Sequence, residues 1–162
     1  MAKVRLIVHR QSSKDAQGYF DTFEVPYQTS MNVISALMEV RKNPVTIDGK
    51  HVPPPVWDAA CLEEVCGSCT MYINGGIRQA CSALIEEVAT KNGDTYEVRL
   101  EPMKKYPLIR DLSVDRSKMF ENLKRPKAWV PIDGSSDLGA AQAQDDHVRP
   151  LRYALSRCMT CG

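Results

Sequence analysis

The chain has 162 residues, with 21 lysines and arginines against 20 acidic residues and a formal net charge of +1, long enough to bury a substantial core in one domain or one and a half. That near balance gives no broad electrostatic pull toward nucleic acid, and no apolar run approaches the ~18 residues that would suggest a membrane span. Six cysteines without the spacing of a secreted disulfide scaffold fit metal ligation in a reducing compartment, and Met1-Ala2-Lys3-Val4-Arg5 leads into a strand pattern with no signal-peptide core, which makes a cytosolic setting the default expectation.

Val4 to His9 reads as a strand and Tyr19 to Val25 as its antiparallel mate, joined by the polar loop Gln11 to Gly18. His9 stands alone at the strand end and reads as a partly exposed surface residue. Ser30 or Asn32 is suited to cap a helix running to about Lys42, with Ile34, Leu37, Met38 and Arg41 at i, i+3, i+4 and i+7. Met31 and Met38 are expected to fill the core. Asn43-Pro44 ends the helix, because the residue before proline is pushed out of the α region. Asp48-Gly49 is a turn, and Pro53-Pro54-Pro55 holds the chain extended before Trp57, which is expected to pack over the loop that follows.

That loop carries most of the chemistry. Cys61, Cys66 and Cys69 stand as C-x4-C-x2-C, with a more distant Cys81, the plant-type spacing for a 2Fe-2S cluster. Asn74-Gly75-Gly76 between two β-prone runs reads as a hairpin turn. With a three-residue loop, Ile73 faces Ile77 and Cys69 faces Cys81, close enough across an antiparallel pair to share one small cluster. Gly67 allows a positive φ where the backbone must approach the cluster, and N–H groups of the loop are expected to donate toward it. Spacing alone leaves a structural zinc site or disulfides open, although zinc sites usually show two C-x2-4-C knuckles or histidine partners.

Asn92-Gly93-Asp94 is a further turn, and Tyr96 to Pro102 alternates as a strand with Val98 and Leu100 on one face. Hairpin, helix, cysteine loop, hairpin and closing strand give an α+β reading. Beyond Pro102, Tyr106 to Asp115 and then Met119, Phe120 and Leu123 read as helix-rich, with surrounding basic residues that form a solvated face. Gly134 to Gln144 looks like a connection, and Leu151 to Arg157 like a helix starting near Pro150. Cys158 and Cys161 close the chain in the manner in which a bacterial-ferredoxin run C-x2-C-x2-C-x3-C-P begins, so a segment beyond Gly162 is expected to complete it. A half zinc site or a thioredoxin-like pair stays open there.

The run Cys61-Leu-Glu-Glu-Val-Cys-Gly-Ser-Cys-Thr-Met-Tyr-Ile-Asn-Gly-Gly, closed by Arg78-Gln-Ala-Cys81, resembles the first cluster motif of the iron–sulfur subunit of succinate dehydrogenase and fumarate reductase. Leu62-Glu63-Glu64-Val65 departs from the commoner C-R-E-G-x-C and resembles the branch found in menaquinone-using bacteria. A second stretch, Pro107, Ile109, Arg110, Asp111, Leu112, Val114, Asp115, Phe120 and Trp129, matches the same family, and a free-standing ferredoxin has no such tail.

The resemblance implies a β-grasp 2Fe-2S domain over residues 1–105, then a connecting segment and the start of an α-helical ferredoxin domain over 106–162. It implies Cys61, Cys66, Cys69 and Cys81 as ligands of the 2Fe-2S cluster and Cys158 and Cys161 as part of a 4Fe-4S motif. A 4Fe-4S and a 3Fe-4S cluster would be complete only if the chain continues beyond Gly162. The implied role is an electron relay without dehydrogenase activity of its own. Electrons would come from FAD on a flavoprotein subunit and pass toward menaquinone at a membrane anchor cytochrome b subunit. The complex would sit on the cytoplasmic face of the bacterial plasma membrane. Fumarate reductase, a free-standing 2Fe-2S ferredoxin and a zinc-stabilised interaction module are the other readings; nucleic acid is not an expected partner.

Overall fold

The computed structural model describes residues 2–124 and 145–156. The connection at 134–144, Trp129, Cys158 and Cys161 lie outside the described residues.

Strand β1 (Lys3–Arg10) pairs antiparallel with β2 (Tyr19–Pro26), Lys3 opposite Pro26 and Arg10 opposite Tyr19. Along β1 the alternation is strict: Val4, Leu6 and Val8 are wholly buried, as a strand with one face on a core requires. Helix α1 (Val33–Lys42) starts at Asn32, whose side chain accepts from Ser35 N while Ser35 Oγ accepts from Asn32 N, a reciprocal capping box. The helix buries Val33, Ile34, Ala36, Leu37 and Val40 in the same core as the strands. Met31 joins that core at 4% exposure, but Met38 is 51% exposed. The expected apolar stripe is therefore rotated: the buried face runs 33, 34, 36, 37 and 40, and Met38 falls beside Arg41 on the wall of an open cleft that also includes Trp57 and Leu62.

Strands β3 (Thr70–Ile73) and β4 (Gly76–Gln79) form the hairpin after the cysteine loop, and a one-turn helix α2 (Ile85–Val88) follows. Strand β5 (Thr90–Asn92) turns through Gly93 into β6 (Thr95–Glu101). β6 lies parallel to β1, with Leu6 beside Val98 and Val8 beside Leu100, so the last strand enters the sheet next to the first. The order is β2-β1-β6-β3-β4, with β5 also on β6. A mixed sheet with one main helix packed against it is the α+β, β-grasp arrangement expected.

The stretch 106–115 is not helical. It forms a small ribbon, β7 (Leu108–Arg110) with β8 (Ser113–Val114), and Leu112 and Val114 are 4% exposed. The first compact unit runs through Asp115. The physical reason is a buried ion pair, Arg10 Nε to Asp111 Oδ1 at 3.3 Å, which ties the ribbon to the end of β1. The described residues after Asp115 belong to a second unit and form α3 (Ser117–Lys124) and α4 (Val148–Ser156). Asp145 Oδ1 accepts from His147 N at 2.7 Å ahead of α4, and Pro150 falls in its first turn, where the missing N–H costs nothing. Among the described residues no helix is long and apolar enough to cross a membrane.

Candidate metal centre

The cysteine loop is shaped by three residues in the left-handed region, Leu62 (φ 60°), Glu64 (φ 60°) and Gly67 (φ 71°). Two of these are not glycine, and each such residue costs roughly 1–2 kcal/mol. What the loop gains is the direction of its N–H groups. Those of Glu63, Val65 and Cys66 donate to Cys61 Sγ at 3.4, 3.4 and 3.3 Å, and Ser68 N donates to Cys66 Sγ at 3.5 Å. Gln79 Nε2 reaches back from β4 to Glu64 O at 3.4 Å, and Thr70 Oγ1 donates to Gly67 O at 2.7 Å, tying the middle and the later part of the loop to the hairpin.

The hairpin register differs from the expected one by a single residue. Asn74 (φ 48°) and Gly75 (φ 81°) both take positive φ, the two-residue turn that matches strand twist, so Ile73 faces Gly76 and Thr70 faces Gln79. Cys69 therefore lies across from Ala80, whose N–H donates to Cys69 O at 3.2 Å, and not from Cys81. Pairing ends at Gln79, and the chain turns at Ala80 to Ser82, which still brings the Cys81 thiol onto that of Cys69.

The four thiols fall into two pairs. Cys61 is partly exposed and Cys66 exposed, linked by the Cys66 N–H on Cys61 Sγ, whereas Cys69 and Cys81 are buried. The environments push the thiols apart chemically: the Ser68 hydroxyl and loop N–H groups lower the pKa of Cys66 to about 6, while burial raises that of Cys69 to about 11. Among the described residues no three Cys, His, Asp or Glu side chains close on one point for a single metal ion. A 2Fe-2S cluster takes four cysteine ligands; the donor set here, four cysteines with backbone N–H groups turned onto Cys61 and Cys66 Sγ, has the chemistry such a cluster needs. His9 is partly buried beside Phe20, ring centroids 5.4 Å apart, and takes no part. Trp57 packs against the core with Arg41 over its ring at 6.0 Å. Ser68 and Gln79 are parts of the site that spacing did not single out, because serine and glutamine carry no ligand signature.

Residues 5–121 match the family model described as the 2Fe-2S iron-sulfur cluster binding domain. The chain belongs to that family, a class of proteins built around an iron–sulfur cluster. Within it the chain is homologous to succinate dehydrogenase iron–sulfur subunits: it is 50% identical over 159 residues to that of Bacillus subtilis (strain 168), covering 98% of this chain and 60% of the relative. The fumarate reductase iron–sulfur subunit of Wolinella succinogenes is 27% identical over 164 residues, covering 100% of this chain and 64% of that protein. The chain thus spans about three-fifths of the length of these curated relatives. A chain of the Mycobacterium smegmatis Sdh1 complex in the apo form shares the fold at TM-score 0.71 and 20% identity, over 99% of this chain and 61% of that one.

Proposed function

We propose that the chain is the electron-relay iron–sulfur subunit of a succinate:quinone oxidoreductase, without dehydrogenase activity by itself. The observation that carries this is the 50% identity over 98% of the chain to a succinate dehydrogenase iron–sulfur subunit, set beside a loop that turns backbone donors onto cysteine sulfur. Cys61, Cys66, Cys69 and Cys81 would hold a 2Fe-2S cluster. Such a cluster supplies one-electron redox chemistry. The protein's part is to turn loop N–H groups onto the Cys61 and Cys66 sulfurs, to exclude water at Cys69 and Cys81, and to leave Cys61 and Cys66 near the surface where a redox partner can approach.

The partner in this reading is a flavoprotein subunit carrying FAD, at which succinate is oxidised. Cys158 and Cys161 would contribute to a 4Fe-4S site, and a 3Fe-4S cluster would follow, only if the chain continues beyond Gly162. Electrons would pass to menaquinone at a membrane anchor cytochrome b subunit, placing the complex on the cytoplasmic face of the bacterial plasma membrane. The Wolinella succinogenes relative favours fumarate reduction as the second reading, since one relay serves both directions. Copurification of the chain with its native partners tests the proposal. A flavoprotein that oxidises succinate is the expected companion; a flavoprotein acting on another substrate, or a chain carrying zinc and no sulfide, would overturn it.

A further inference from the structure

The segment that delivers the chain to Cys61 has little to hold itself in place. Pro53, Pro54 and Pro55 have no N–H to give to a ladder, and residues 52–59 belong to no helix or strand. Its attachments come from far away in sequence. Asp111 Oδ2 accepts from Val56 N at 3.0 Å, and Leu112 N donates to Val56 O at 3.0 Å, so two consecutive residues take both backbone groups of Val56. Arg10 Nη2 donates to Pro53 O at 2.7 Å, and Ser113 Oγ donates to Asp58 Oδ2 at 2.8 Å. Asp111 Oδ1 meanwhile accepts from Gln11 N at 2.9 Å and Arg10 Nε at 3.3 Å. Asp111 is 2% exposed and Arg10 3%, and Arg10 also reaches Asp21 at 2.8 Å, so the buried charges are matched.

We propose that the turn Asp111-Leu112-Ser113, backed by Arg10, is a clamp that positions the entry of the cluster loop, with Asp111 as the positioning residue. The inference rests on the cluster reading above. It gives the second sequence motif physical work: the ribbon is folded onto the first unit to fix residues 53–58, and with them the placement of Cys61 three residues later. Asp111 takes φ 51°, where aspartate and asparagine are the best-tolerated side chains after glycine, and only a carboxylate offers acceptors to N–H groups on both sides. An asparagine keeps the backbone conformation but turns an amide donor onto one of them.

The test is D111N, with S113A as a milder second variant, in the cluster-loaded protein. Hydrogen exchange of segment 53–61 and the electron-spin spectrum of the reduced cluster are the readouts. D111N is expected to speed exchange at Val56 by at least about tenfold, since a buried donor loses its partner, and to broaden or shift the reduced signal, with β1 and β6 still protected. S113A is expected to give a smaller change confined to residues near Asp58, and it decides the matter by the same readouts if D111N does not accumulate folded. Unchanged exchange at 53–61 with an unchanged spectrum would overturn the clamp, and so would a uniform loss of protection across β1, β6 and α1. A wild-type protein without iron and sulfide would sink the cluster reading instead, and exchange at 53–61 would still decide whether the clamp exists.

Discussion

Leu62 and Glu64 carry side chains through a backbone region that disfavours them, and the return is N–H groups turned toward Cys61 Sγ. Replacing Glu64 by glycine separates the two effects. Relief of the left-handed conformation is worth roughly 1–2 kcal/mol, against roughly 0.5–1 kcal/mol of extra unfolded-chain entropy for glycine. Relief wins: Glu64→Gly should raise stability by about 0.5–1 kcal/mol, read as a higher midpoint in urea, with the cluster retained. A lower midpoint would mean that the Glu64 side chain holds the loop by a contact of its own. Cys66→Ser acts on the opposite side, removing a thiolate where Ser68 and loop N–H groups favour charge. Loss of the visible absorption and of the reduced electron-spin signal is expected, and an unaltered spectrum would remove Cys66 from the ligand set.

At the scale of elements, local chemistry was legible and loop length was not. The Asn32 cap, the end of α1 before Pro44 and the β1–β2 pairing follow from residues within a few positions of one another. Asn74-Gly75-Gly76 was recognisable as a turn, but a turn of two or three residues uses the same letters. The choice was made by positive φ at both Asn74 and Gly75, reinforced by Asn74 Nδ2 on Val88 O and Arg99 N on Asn74 Oδ1, each at 2.7 Å. Asn74→Ala loses both bonds and the side chain best suited to that φ, at an exposed site where each contributes less than in a core. A cost of about 1–2 kcal/mol in chemical denaturation is expected; no change would mean that the register is held by packing alone. Asn32→Ala, which opens the capping box, should cost about 1 kcal/mol and lower the thermal midpoint without changing the cluster spectrum. A changed spectrum would show that α1 couples to the metal centre.

Across the whole molecule, what stayed hidden in the sequence was long-range. Nothing near Arg10 announces a partner 101 residues away, so the ribbon at 108–114 looked like part of the following helical stretch rather than the last layer of the first unit. Met38 was misplaced for a related reason: i, i+3, i+4 spacing fits two neighbouring stripes on α1, and the sheet chose the one holding Val33 and Val40. The cysteine spacing, by contrast, was legible because it is contained in one short stretch of chain, and that stretch lies within the family match over residues 5–121.

Iron and acid-labile sulfide measured on anaerobically purified protein, with electron-spin resonance of the reduced sample beside Cys66→Ser, address the metal centre directly. About two irons and two sulfides assignable to one reduced 2Fe-2S centre, lost in the variant, are expected. Zinc without sulfide, or a 2Fe-2S signal indifferent to Cys66, would contradict the assignment of Cys61, Cys66, Cys69 and Cys81 as its ligands.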